Sequence, residues 1–160
     1  MKSASTLFLK TAVFVLSLPM VLFCLFLIPE VGRATADLLP AFGASKYVVW
    51  ALLYASVIIY FIGLYQAFQL LRCIDQGRAF SVSSVRKLQV IKRCAGTISI
   101  LHLCVLPSFY LFAEFDDAPG VIFVGLIVPF ASLVIAVFAA LLQKLLQEAI
   151  EMKSENELTI

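Results

Sequence analysis

His102 is the only histidine in the chain, and it lies inside a long apolar run. An ionisable residue placed there is a natural suspect for proton, ligand or metal chemistry. Its neighbours do not complete such a site. A metal centre needs three or four donors, and the four apolar runs contain no second histidine and no carboxylate. Cys104 is two residues away, but side chains at i and i+2 diverge on a helix. A structural hydrogen bond between helices is therefore the expected role of His102. A small intramembrane polar site is the alternative kept in view. Glu114, Asp116 and Asp117 form an acidic turn without the glycine and spacing of a calcium loop. The four cysteines, Cys24, Cys73, Cys94 and Cys104, show no CxxC or metal-ligand spacing, and no disulfide is expected. No Ser-His-Asp set, HExxH helix or phosphate loop is present. These absences argue for a non-enzymatic protein without a metal or cofactor.

The elements around these residues are dominated by lipid chemistry. Of 160 residues, 62% are hydrophobic and 14% charged, far from the balance of a soluble domain. The apolar residues collect into runs at about 11–28, 47–71, 94–112 and 121–142. Each is long enough to cross a hydrocarbon core of about 30 Å as a helix. The expected fold is all-α: one integral membrane four-helix bundle, with a connector at 72–93 and a tail at 143–160. The first run is longer than a signal-peptide core, so an uncleaved helix is expected. Pro19 should bend it. Pro29 to Lys46, with Gly32, Pro40 and Gly43, reads as a loop. The tail keeps helical spacing in Leu145, Leu146, Ala149, Ile150 and Met152, and should fray after about Lys153. Tyr54, Tyr60, Tyr65 and Tyr110, with Ser56, Thr97, Ser99, Ser108 and Ser132, read as interhelical polar contacts.

Charge sets the orientation. Lys2, Lys10, Lys144, Lys153 and six cations between Arg72 and Arg93 fall on one side of a four-span chain. Only Arg33 and Lys46 fall on the other. Lysine and arginine are retained in the cytoplasm, so both termini and the connector are expected there.

The connector carries most of the recognisable detail. Gly77 can close a helix in the left-handed conformation. Ser81, Ser83 or Ser84 can cap the next one, with Phe80 as a hydrophobic staple. Val82, Val85, Leu88, Ile91 and Ala95 then recur every three or four residues, which predicts a cytoplasmic amphipathic helix leading into the third span. Phe80, Arg86, Lys87, Lys92 and Arg93 are the expected contacts to a partner or to anionic lipid headgroups. Direct nucleic-acid binding is not expected, because the patch is small and lacks an aromatic stacking platform. Homo-oligomerisation is left open.

The length with four spans, the Gly77-Arg78-Ala79-Phe80-Ser81 turn followed by Val85-Arg86-Lys87-Leu88, and the Glu157-Leu158-Thr159-Ile160 ending resemble a bacterial membrane family. It is the one designated domain of unknown function 2975. The stretch Lys153-Ser154-Glu155-Asn156-Glu157 departs from the more regular acidic lead-in expected before that ending. The resemblance carries no catalytic residues. Its members are often encoded beside a small helix-turn-helix regulator, which implies a membrane-bound partner or controller of a transcription regulator. The function expected is a regulatory multi-pass membrane protein that docks such a partner. The alternatives are a small transporter or channel component, or a protein that binds anionic lipid.

Overall fold

A computed structural model describes residues 2–38, 40 and 44–159. Gly43 and Ile160, on which parts of the sequence reading rest, lie outside them. Helix α1 (Lys2–Leu22) passes through a π-helical turn (Phe23–Leu27) into α2 (Ile28–Leu38). Three long helices follow: α3 (Ser45–Asp75), α4 (Val82–Phe115) and α5 (Gly120–Leu158). The described chain is thus helical, with four rods long and apolar enough to cross a membrane.

The first rod corrects the expected loop over 29–46. Helix continues past Pro29 to Leu38. Proline lacks the N–H that would bond the carbonyl four residues back, and its ring crowds that carbonyl. Widening the preceding turn to the i→i+5 pattern relieves the conflict, and Ile28 N–H donates to Phe23 O. Pro29 then sits in the first turn of α2, where a missing donor costs little. Ile28, Gly32 and Thr35 are buried, while Glu30, Arg33 and Asp37 are exposed. This is helical amphipathicity that the glycine, proline and charges disguise.

The α3–α4 elbow forms as its residues predict. Gly77 has φ of 70°. Its N–H donates to Ile74 O, and Arg78 N–H donates to Cys73 O at 2.9 Å, a pair of bonds that closes a helix C-terminus. Ser81 is the N-cap of α4, and its Oγ accepts from Ser84 N–H. Phe80 remains 60% exposed, so the expected staple does not bury it. The α4–α5 turn repeats the closing device with an aspartate. Asp117 has φ of 49°, a conformation that short polar side chains tolerate, and Ala118 N–H donates to Ala113 O. The tail does not fray after Lys153: α5 runs to Leu158, where Thr159 N–H and Oγ1 both donate to Glu155 O.

The helices pack as a fan. α5 lies on α4, α4 on α3, and the first rod on α3 and part of α4. The buried apolar cluster is Ile28, Val49, Leu53, Val57, Val105 and Phe109, from α2, α3 and α4. Elsewhere large apolar side chains face outward, among them Phe14, Phe26, Ile127 and Phe138. In lipid such exposure carries no hydrophobic penalty, and helix association depends on close packing and interhelical hydrogen bonds.

Candidate functional site

Helices α3 and α4 run antiparallel from the elbow and leave a groove of about 350 Å³ beside it. Gln66 of α3 and Val82, Ser83, Arg86, Lys87 and Val90 of α4 line it. Arg86 is exposed, and Lys87 Nζ donates to Ser83 Oγ at 2.8 Å. The structure separates the other expected contacts. Lys92 turns to α5, where its Nζ donates to Gln143 Oε1 at 2.9 Å. Arg93 is exposed and outside the groove lining, as is Phe80.

The face that α4 buries also differs from the expected stripe. Val82 is 68% exposed, whereas Ser84, Leu88 and Ala95 are buried. Ser84 tolerates complete burial because its Oγ donates to Arg78 O and meets Ser81 Oγ. Hydropathy alone gives no signal for such a serine. Its spacing of four and eleven from Leu88 and Ala95 is the signal that could have placed it on their face.

Two contacts bring the chain ends to this end of the bundle. Lys10 Nζ lies 2.7 Å from Asp75 Oδ2, which joins the start of the first rod to the end of α3. The Lys92–Gln143 bond fixes the root of the α5 tail beside the basic start of α4.

His102 is buried in the middle of α4. Its Nδ1 is 3.0 Å from Ile98 O. A carbonyl can only accept, so Nδ1 carries the proton in this bond. Helix register places other polar groups at the same level. Gly63 of α3 approaches Cys94, and Gly125 of α5 approaches Phe109. Two turns along from these pairs, Ser56 reaches the level of Leu101 and Ser132 that of His102. Ser56, Ser99, His102 and Ser132 are all buried. Ser99 Oγ donates across the interface to Pro129 O at 2.9 Å, while Ser56 Oγ bonds Leu53 O in its own helix. Tyr60 also bridges helices, donating to Leu16 O. Two more of the expected interhelical groups are local: Thr97 bonds Arg93 O, and Tyr65 accepts from Gln69. Among the described residues no three His, Cys, Asp or Glu side chains converge as a metal site would require.

The opposite end of the bundle holds a feature that the loop expectation concealed. Gly32 of α2 lies directly under the indole of Trp50. Trp50 also meets the Tyr47 ring edge-on at 6.0 Å. Trp50 is thus the side chain that locks α2 onto α3.

Comparison with known proteins agrees with this architecture. The uncharacterized membrane protein YoaS of Bacillus subtilis (strain 168) is 52% identical over 160 residues, covering 100% of both chains. No solved structure matches. The family model described as "Protein of unknown function (DUF2975)" matches residues 30–160, which include most of α2, all of α3, α4 and α5, and every residue of the elbow groove. A multi-pass membrane protein with this match along most of its length belongs to the DUF2975 family.

Proposed function

We propose that this chain is a non-enzymatic regulatory membrane protein that docks an acidic, amphipathic segment of a cytoplasmic protein in the α3–α4 groove. In this reading both termini and the elbow face the cytoplasm of a bacterial inner membrane, and the first turns of α4 act as a cytoplasmic amphipathic helix. The groove is the observation that carries it. It sets Arg86 and Lys87 beside the apolar Val82 and Val90, and those cations form no salt bridge among the described residues. A helix with an acidic edge and an apolar face complements such a lining. The family resemblance implies a small helix-turn-helix regulator as the partner. The polar layer around His102 gives less support to a transporter reading, because Ser56 and His102 bond the backbone of their own helices.

The test is co-purification from membranes of the full-length protein with a co-expressed small helix-turn-helix regulator. The double substitution Arg86→Glu/Lys87→Glu should lower recovery by about tenfold or more, since truncating or reversing a docked charge costs on the order of 2 kcal/mol. Absence of recovery with the unaltered chain would overturn the reading. Orientation is checked separately. A C-terminal green fluorescent protein should fluoresce and a C-terminal alkaline phosphatase should be inactive; the reverse pattern would place the groove on the wrong side.

A further inference from the structure

At the end of the bundle away from the elbow, α2 and α5 flank α4 and leave a lateral cleft with two adjoining cavities. The inner one is about 250 Å³. Its walls are Leu27 and Val31 from the first rod, Phe109 and Phe112 from α4, and Val121 and Val124 from α5. Glu30 stands at its rim and also lines the second cavity, of about 310 Å³. That outer cavity adds Arg33, Asp37 and Asp116. Together the two reach the size of small-molecule clefts, roughly 300 Å³ upward.

We propose that this cleft seats a bilayer lipid whose headgroup carries an ammonium, with part of an acyl chain in the inner cavity. Its shape and chemistry are those of an amphiphile: a dry apolar chamber that opens on a charged vestibule. Water gains too few hydrogen bonds in an apolar chamber to occupy it favourably. Leu27 and Val124 of its wall are exposed on the outside of the bundle, so an apolar occupant enters sideways from the bilayer. Charge then selects the headgroup. The vestibule has three carboxylates and one guanidinium. Glu30 and Arg33 are loosely paired at 3.9 Å and largely exposed. Asp37 and Asp116 form no salt bridge among the described residues. An ammonium meets those carboxylates while the lipid phosphate pairs with Arg33. An anionic headgroup without an amine meets a vestibule of its own sign. The proposal is independent of the elbow groove, and either can fail alone.

The test uses the full chain reconstituted in nanodiscs containing equal phosphatidylethanolamine and phosphatidylglycerol, with retained lipid identified by native mass spectrometry. Phosphatidylethanolamine should be enriched about fivefold over its bulk ratio, the selectivity that partly exposed ion pairs supply. Asp37→Asn/Asp116→Asn should bring the ratio to about one, since it removes those pairs. Both sites are exposed, so the fold is retained, which thermal melting checks. Val124→Trp, which fills the chamber, should lose both lipids. Retention at the bulk ratio by the unaltered chain would overturn the proposal. So would an undiminished preference in the aspartate double variant, or undiminished phosphatidylethanolamine binding by a folded Val124→Trp protein.

Discussion

Gly32→Ala should destabilise the protein by about 2–3 kcal/mol, the cost of overpacking a tight site. The sign is opposite to that of most such changes, because alanine normally improves a helix by about 1 kcal/mol over glycine. Here a Cβ would fall 1.6 Å from Nε1 and 2.2 Å from Cδ1 of Trp50. The indole cannot yield by a small rotation, since a third ring atom, Cε2 at 2.6 Å, stands in the way of the same methyl. Trp50 is the only tryptophan in the chain, so its fluorescence during an SDS titration reports this contact directly. Trp50→Ala in the Gly32→Ala background, followed by far-ultraviolet circular dichroism in the same titration because it has no tryptophan, should recover most of the loss relative to the sum of the single changes, as contacting residues do. Simple additivity would mean that the contact does not hold α2 to α3.

Gly125→Leu should be the second large loss, about 2–3 kcal/mol, with Gly125→Ala nearer 1 kcal/mol. A Cβ at Gly125 meets Phe109 at 3.0 and 3.1 Å and Leu106 at 3.4 Å. Phe109 is itself in the buried cluster, so its ring has little room to retreat. A methyl requires shifts of a few tenths of an ångström; a leucine must push the helices apart. α5 packs chiefly against α4, and in lipid that packing is not restored by a hydrophobic driving force. Thermal melting in detergent of the glycine, alanine and leucine series should therefore be graded. A leucine variant that melts with the parent would show that α5 is not seated by this close approach.

Much of the fold was legible because membrane helices announce themselves by length and apolarity. The elbow was also legible in its local chemistry, since Gly77 and Ser81 act within a few residues of themselves. α2 was not. Gly32, Pro29 and its charges carry the composition of a loop, and only the contact with Trp50 explains a buried glycine there. The candidate sites divide in the same way. Arg86 and Lys87 share one groove because they are neighbours on one helix. Lys92 leaves it because Gln143, distant in sequence, offers a better position for its ammonium. The lateral cleft needs α2, α4 and α5 together, and no local pattern encodes that meeting. Ser84 shows a related limit: a hydroxyl that hydropathy places in water is fully buried once Arg78 O accepts from it.

The π-helical turn at Phe23–Leu27 acts as a phase shifter. Each residue advances a helix by about 100°, and a single wide turn absorbs one residue more than regular helix would. The azimuth of everything beyond it depends on that extra residue. Excising Cys24 or Leu25 would restore regular geometry with α2 at nearly the same angle, whereas winding every residue present as regular α-helix would turn α2 by about a quarter of a revolution. Gly32 would then swing away from Trp50, and Glu30 away from the cleft. The first rod is thus two screws joined at a fixed angular offset, with lipid-facing threads below the joint and a docking thread above it.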